Sequence, residues 1–252
     1  MKIYKIGFLI VLMIFSSFKK EDSKKQISIY TIGDSTMADK INPDENPERG
    51  WCQVLPQFLN DNVLVKNHAV NGRSTRSFID EKKWDAVYHQ LKKGDYVFIQ
   101  FGHNDQKKND PERYTNPTTA YRNNLIKFIK ETREKGAIPV LFTSIVRRNF
   151  NEEGTLVDTH YMYPFVVRSV ANEYMVPLID LQASTELLEE SYGVEASKKL
   201  HLHYKPNEIL YYPKGKEDNT HLSILGATEV AKLAVLELNK NVKDFSNYIK
   251  KE

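Results

Sequence analysis

The chain has 252 residues, 40% hydrophobic and 27% charged, with a single cysteine and Lys+Arg 36 against Asp+Glu 33. That length accommodates one large domain with a sizeable core, and the composition fits neither disorder nor low complexity. One cysteine excludes an intramolecular disulfide framework and a Cys-rich zinc module, and basic residues scattered to a net +3 leave no electrostatic footprint for nucleic acid.

The first eighteen residues read MKIYKIGFLIVLMIFSSF: two lysines, an apolar run from Ile6 to Phe15, then two serines. A charged start followed by a short apolar run predicts a secretory signal over 1–18, with a polar linker over 19–25. The run is roughly half the ~20 residues that span a bilayer, so contact with a membrane is expected only through an uncleaved signal. No cysteine follows it to carry a lipid, and the protein is expected to be exported, periplasmic or extracellular.

From Gln26 onward β-rich runs alternate with segments of helical spacing. The runs are QISIYTI (26–32), VLVKNHAV (63–70), DYVFIQF (95–101), AIPVLFTS (137–144) and VPLIDL (176–181). Between the third and fourth, Tyr121, Leu125, Phe128 and Ile129 fall on one stripe and predict a helix over Thr118–Lys135, stopped by Gly136. Ser223 is placed to cap a final helix running to Lys240. Strand and helix in repeated alternation predict an α/β fold: a doubly wound, five-stranded parallel sheet with helices on both faces. The domain is expected over 26–245, with Leu187–Glu217 an irregular excursion and a Lys-rich tail over 246–252.

In such a sheet the reactive groups belong at the carboxyl ends of the strands. Gly33-Asp34-Ser35-Thr36 follows the first run, Asn71-Gly72-Arg73-Ser74 the second, and Gly102-His103-Asn104-Asp105 the third; Asp218-Asn219-Thr220-His221 precedes the last helix. A serine nucleophile needs a base, a group that orients the base, and donors for an oxyanion. Ser35, His221 and Asp218 are candidates for the first three. The backbone N–H groups of Ser35 and Gly72 and the Asn104 side-chain amide are candidates for the donors. The G-x-S-x-G elbow is absent around Ser35, which disfavours an ordinary α/β-hydrolase.

These four blocks, in this order, resemble the SGNH (GDSL-like) hydrolases. Finer features, TIGDSTMA (31–38), GWCQ (50–53), NHAVNGRSTRSF (67–78), FGHND (101–105) and DNTHLSILGA (218–227), resemble the rhamnogalacturonan acetylesterase group, carbohydrate esterase family 12. The resemblance implies a flavodoxin-like three-layer sandwich and a serine esterase that removes O-acetyl groups from a plant cell-wall polysaccharide, rhamnogalacturonan foremost. It implies Ser35 as nucleophile, His221 as base, Asp218 as its orienting acid, and Ser35, Gly72 and Asn104 as the oxyanion hole, with no metal or organic cofactor. Cys52 stands where the group often has glycine.

Other residues read two ways. Arg73 and Arg76 either pair with carboxylates of an acidic polymer or brace the Gly72 loop. His103 is either a spacer or a substrate contact, and Asp34 is expected to brace its loop. His201 and His203 have no third ligand nearby and are expected in a surface or loop role rather than at a metal. Rival activities on the same fold are an acetylxylan esterase and a lipid esterase or thioesterase, the last disfavoured by loops that carry Arg73, Arg76, Lys107, Lys108 and Asp110. A non-catalytic carbohydrate-binding module would not require the four blocks together.

Overall fold

The computed structural model describes residues 26–251; the expected signal and linker, 1–25, lie outside them. The strands are β1 (Ile27–Gly33), β2 (Glu48–Arg49), β3 (Val63–Asn67), β4 (Tyr96–Gln100), β5 (Ile138–Phe142), β6 (Leu178–Ile179), β7 (His201–Tyr204) and β8 (Lys216–Ser223). The α-helices are α1 (Trp51–Val54), α2 (Thr75–Asp80), α3 (Lys83–Tyr88), α4 (Arg122–Glu134), α5 (Met162–Glu173), α6 (Leu181–Ala196) and α7 (Ile224–Asn241).

Five strands form one parallel sheet in the order β3-β1-β4-β5-β6, which is the flavodoxin-like doubly wound order. The central strands are apolar on both faces because both faces are covered. Alternate residues divide between two cores, as the pleat requires. Ile27, Ile29, Phe98, Val140 and Phe142 pack with Trp51 of α1 and with α7. Tyr30, Ile32, Val97, Ile99 and Leu141 pack on the opposite face with Trp84 of α3 and with α4 and α5. The expected helix over 118–135 is present, entered by one wide π turn at Pro117–Tyr121 and closed by Gly136 at φ +69°. Among the described residues no helix is long and apolar enough to cross a membrane.

The segment expected to be irregular, 187–217, is instead largely ordered. α6 continues to Ala196 across a break at Gly193, a 3-10 turn Ser197–Leu200 follows, and β7 then pairs with β8. β8 also pairs with β2, giving a second, antiparallel sheet in the order β2-β8-β7. Its sequence, KEDNTHLS, lacks apolar alternation because its first six residues are polar and none of them is fully buried, so no period-two signal marks it. The fold also runs past 245. Phe245 is fully buried, Tyr248 and Ile249 pack on the first core, Ile249 bridges to Leu59, and the Lys250 N–H donates to the Phe58 carbonyl. The expected tail is thus part of the body through Lys250, the lysines masking the apolar anchors between them.

α7 fixes the second sheet to the first. Ser223 caps it, accepting from the Gly226 N–H at 3.1 Å, and the same hydroxyl donates to the Lys199 carbonyl at 2.6 Å. Gly226 lies so close to the preceding turn that a β-carbon there would stand 1.9 Å from the Leu200 carbonyl oxygen. A helical Gly→Ala change ordinarily stabilises by about 1 kcal/mol. Gly226→Ala is expected to reverse that sign, lowering the unfolding free energy by about 2 kcal/mol or more through overpacking against backbone. Urea titration of the two proteins checks it; an unchanged or raised midpoint would show that α7 is not held this tightly.

Candidate active site

Ser35 emerges directly from β1, at the point where the strand order reverses between β3 and β4. Gly33 leaves no room for a side chain: a β-carbon would stand 2.3 Å from the Met37 sulfur and 2.6 Å from the Gln100 carbonyl. The fully buried Asp34 closes the turn. Its Oδ1 accepts from the Thr36 N–H and hydroxyl, each at 2.9 Å, and its carbonyl accepts from the Met37 and Ala38 N–H groups. Ser35 is left half-buried on the outside of this turn.

β8 brings the base from the far end of the chain. Ser35 Oγ lies 2.9 Å from His221 Nε2, and His221 Nδ1 lies 2.9 Å from Asp218 Oδ2. Asp218 Oδ1 accepts from the Thr220 and His221 backbone N–H groups, both at 2.9 Å. Burial pushes the Asp218 carboxyl up, but the hydrogen bonds from the His221 ring and from these two amides outweigh it and hold the group well below the usual carboxylate range. An ionised Asp218 requires a proton on Nδ1, which leaves the Nε2 lone pair facing the Ser35 hydroxyl. A hydroxyl so placed can pass its proton to the imidazole as it attacks an electrophile.

Two further loops complete the site. Gly72 turns at φ +75°, a conformation that favours glycine. Asn104 is buried, and its amide donates to the Arg73 carbonyl at 3.1 Å, tying the third strand-end loop to the second. Asp105 anchors both: the Thr75 N–H and hydroxyl and the Thr115 hydroxyl all donate to it, at 2.6–3.1 Å. Burial nevertheless pushes its carboxyl up to about 7 against those hydrogen bonds.

The arginines serve these loops. Arg73 pairs with Glu81 at 3.0 Å and donates to the Asn71 carbonyl, and Arg76 donates to the Pro111 carbonyl at 2.7 Å. Of their two readings, the bracing one matches these contacts. His103 is not available to a substrate. Its side chain is buried, 3.4 Å from Asp34 Oδ2 and edge-on to His160, because the residue after Gly102 turns inward beneath Ser35. Burial lowers the His103 imidazole first, against the pull of Asp34, whereas Asp34 itself, raised by burial, is brought down to about 2 by His103 and Thr36.

Three residues that the sequence pattern does not place at the site, Lys40, His201 and His203, hold it together. The Lys40 ammonium, all but fully buried, donates to the Ser35 carbonyl at 2.6 Å and to Asn71 Oδ1 at 2.8 Å, and pairs with Glu48 at 2.8 Å. His201 lies buried in β7, not in a surface loop: Nε2 meets Glu189 at 2.6 Å and Nδ1 meets the His221 carbonyl at 3.1 Å. A carbonyl oxygen can only accept, so in that contact Nδ1–H is the donor. His203 meets Asn219 at 2.7 Å, so both histidines of β7 grip the Asp218–His221 turn. Among the described residues no group of three or more His, Cys, Asp or Glu side chains gathers as a metal site. Cys52 is buried among α1 core residues, away from these contacts.

The chain is similar to known proteins over most of its length. Residues 31–223 match the model of the GDSL-like Lipase/Acylhydrolase family. The chain is 46% identical over 224 residues to a rhamnogalacturonan acetylesterase of Bacillus subtilis, covering 88% of this chain and 94% of that one. It is 29% identical to a rhamnogalacturonan acetylesterase of Emericella nidulans, over 81% of each. Among solved structures, the YxiM protein of Bacillus subtilis superposes with a TM-score of 0.73 at 27% identity, covering 86% of this chain and 57% of that longer one. An acetylxylan esterase of Geobacillus stearothermophilus shares the fold, with a TM-score of 0.57 at 17% identity over 85% and 94% of the two chains.

Two measurements test how the site is held. Lys40→Met leaves Glu48 without its cation and unties Ser35 from Asn71, and is expected to cost about 3 kcal/mol of stability and to lower kcat in the surviving folded protein. Unaltered turnover and melting would show that the ammonium joins nothing. Asp105, whose pKa stands at about 7 against 3.8 for the ordinary group, keeps its proton in the native state over a range where the unfolded chain loses it. Its contribution is therefore full below the lower value and declines as pH rises toward the higher one. The stability advantage of the natural protein over Asp105→Asn should shrink between those values; an advantage that grows with pH would mean that Asp105 is ionised throughout.

Proposed function

The chain belongs to the GDSL-like lipase/acylhydrolase family and is a carboxylic ester hydrolase, and from that premise we propose that it removes O-acetyl groups from a plant cell-wall polysaccharide, rhamnogalacturonan foremost, through an acyl-serine intermediate. The observation that carries the reading is the unbroken chain from Ser35 Oγ through His221 to Asp218, 2.9 Å at each step, drawn from residues 186 apart in sequence.

Ser35 Oγ attacks the acetyl carbonyl as His221 Nε2 takes its proton, and Asp218 stabilises the imidazolium that forms. The oxygen of the tetrahedral intermediate is met by the backbone N–H groups of Ser35 and Gly72 and by the Asn104 amide, each worth about 3–4 kcal/mol at a developing oxyanion. One Asn104 N–H is spent on the Arg73 carbonyl, which fixes the amide plane and leaves its second proton for this task. His221 then returns the proton to the leaving sugar hydroxyl, and water activated by the same imidazole releases acetate from Ser35.

The polysaccharide is favoured by the names of the B. subtilis and E. nidulans relatives and by polar, charged loops around Ser35 where a lipid acyl chain would need apolar walls. Export, proposed from the residue pattern of 1–18, places the enzyme where such a polymer is found.

Ser35→Ala is expected to lower kcat by roughly 10⁴-fold or more while the protein stays folded. Asn104→Ala should lower kcat by about 10²–10³-fold with little change in KM, since its amide acts on the transition state. Acetate release from acetylated rhamnogalacturonan, measured beside acetylated xylan and a long-chain acyl ester, decides the substrate. Preference for either of the latter two would overturn the pectic reading.

A further inference from the structure

The two arginines of the Gly72 loop are engaged within the fold, whereas Lys107 nearby pairs with no carboxylate among the described residues. Arg113 Nη1 lies 3.5 Å from where a β-carbon of Gly72 would stand. Its guanidinium forms a wall of two adjoining depressions: one of about 320 Å³ shared with Gly72, Arg73, Glu81, Asp110 and Glu112, and one of about 900 Å³ lined also by Lys107, Asp110, Tyr114, Tyr161 and Met162. The Lys107 N–H donates to the Asn104 carbonyl at 3.2 Å, so the larger depression begins at the loop of the third oxyanion candidate.

In the larger depression three cations, Lys107, Lys108 and Arg113, face one carboxylate, Asp110, whereas the smaller is lined by three carboxylates. Arg113 spends Nε and Nη2 on Asp110, each at 2.5 Å, which leaves Nη1 toward Gly72. Among the described residues neither Lys107 nor Arg147 pairs with a carboxylate; Arg147 donates only to the Thr159 hydroxyl at 3.0 Å and the His103 carbonyl at 3.5 Å. Lys107, Arg113 and Arg147 are close enough to repel. Partial burial foremost, then Arg113 and Arg147, pull the Lys107 ammonium below its usual range, with Asp110 and the buried Asp34 opposing. An anion entering the depression would relieve that repulsion and gain charge-assisted hydrogen bonds.

Aromatic side chains, Tyr114, Tyr161 and Tyr163, also line the larger depression. Tyr161 is 76% exposed and holds φ +52°, ψ −122°, a conformation that costs a residue other than glycine about 1–3 kcal/mol. The Asp158 carboxylate enforces it by accepting from the His160 and Tyr161 N–H groups at 3.0 and 2.8 Å. A large side chain held in solvent at the expense of backbone strain, beside the exposed Met162, is the mark of a binding surface.

We propose that this depression is a subsite for a uronic-acid residue of the polymer chain, its carboxylate held by Lys107 and Arg113 and its ring laid on Tyr161. The proposal rests on the polysaccharide reading above and adds to it the place where the polymer's charge is recognised. It also assigns that recognition to the loop after Asn104 rather than to Arg73 and Arg76.

Calorimetric titration with unacetylated trigalacturonate, and with xylotriose as a neutral counterpart, tests the subsite without any bond being broken. Trigalacturonate should bind, more weakly as salt is raised, and xylotriose should bind less well. Lys107→Gln and Tyr161→Ala, confirmed folded by their melting curves, should each raise the trigalacturonate Kd by about tenfold. No binding of trigalacturonate, equal affinity for the two sugars, or a Kd indifferent to Lys107 overturns the subsite. The enzymatic reading fails separately: trigalacturonate binding without acetate release from acetylated rhamnogalacturonan leaves the subsite standing and removes the activity. Acetate release without trigalacturonate binding does the reverse.

Discussion

One buried ammonium ties the separate parts of this site to one another. Lys40 reaches the carbonyl of Ser35, the side chain of Asn71 and the carboxylate of Glu48, which places the first strand-end loop, the second strand-end loop and β2 on a single charge. β2 pairs with β8, and β8 carries Asp218 and His221. Nucleophile, oxyanion loop and base therefore share one junction, although they come from two different sheets. A buried cation is costly to desolvate unless its donors are met, and here each bond that meets them also fixes a distance between loops. The same economy recurs at Asp105, which joins α2 to the Asn104 loop, and at His201, which joins α6 to the His221 carbonyl.

The parallel sheet explains why chemistry collects at Ser35. β1 lies between β3 and β4, the strands on which the chain winds in opposite directions, so the loops leaving these strands diverge and open a crevice at their carboxyl ends. Gly33, pressed against Met37 and Gln100, and Asp34, folded beneath the turn, keep Ser35 at the mouth of that crevice instead of inside the core. The second sheet is what a bare doubly wound fold lacks. Its β8 strand is mostly polar and gains its place from pairing with β2 and β7 and from the close seat of Gly226 on Leu200, not from burying an apolar face.

That difference decides what could be read from the amino-acid sequence. The five parallel strands are legible because each is a run of apolar residues, and α4 and α7 because their apolar residues recur at helical spacing. Ser35, Asp218 and His221, singled out by residue type and position, are brought within hydrogen-bond distance of one another. The second sheet was illegible since KEDNTHLS has no alternation, and Lys40, Glu189 and His201 were illegible as anchors because a polar contact between distant residues leaves no periodic trace. His103 reads two ways, as spacer or as substrate contact, for a related reason. Its position in the Gly102–Asp105 block says that the loop matters, while only the backbone path decides whether the ring points to solvent or under Ser35.

Residue type alone also fails to separate the cations that build the crevice from those that face out of it. Arg73 and Arg76 sit beside Gly72 in sequence, yet Glu81, the Asn71 carbonyl and the Pro111 carbonyl take up their hydrogen bonds. A guanidinium bonded in this way stiffens a turn and has few donors left for a ligand. Lys107, three residues beyond Asn104, has the opposite balance: like charges around it and no carboxylate partner among the described residues. An ammonium without a carboxylate partner keeps its donors for charge-assisted bonds to a ligand. The loops at the carboxyl ends of β1, β3 and β4 thus divide the labour, with Lys40, Arg73 and Arg76 spent on geometry and the charge beyond Asn104 left to meet what arrives from solution.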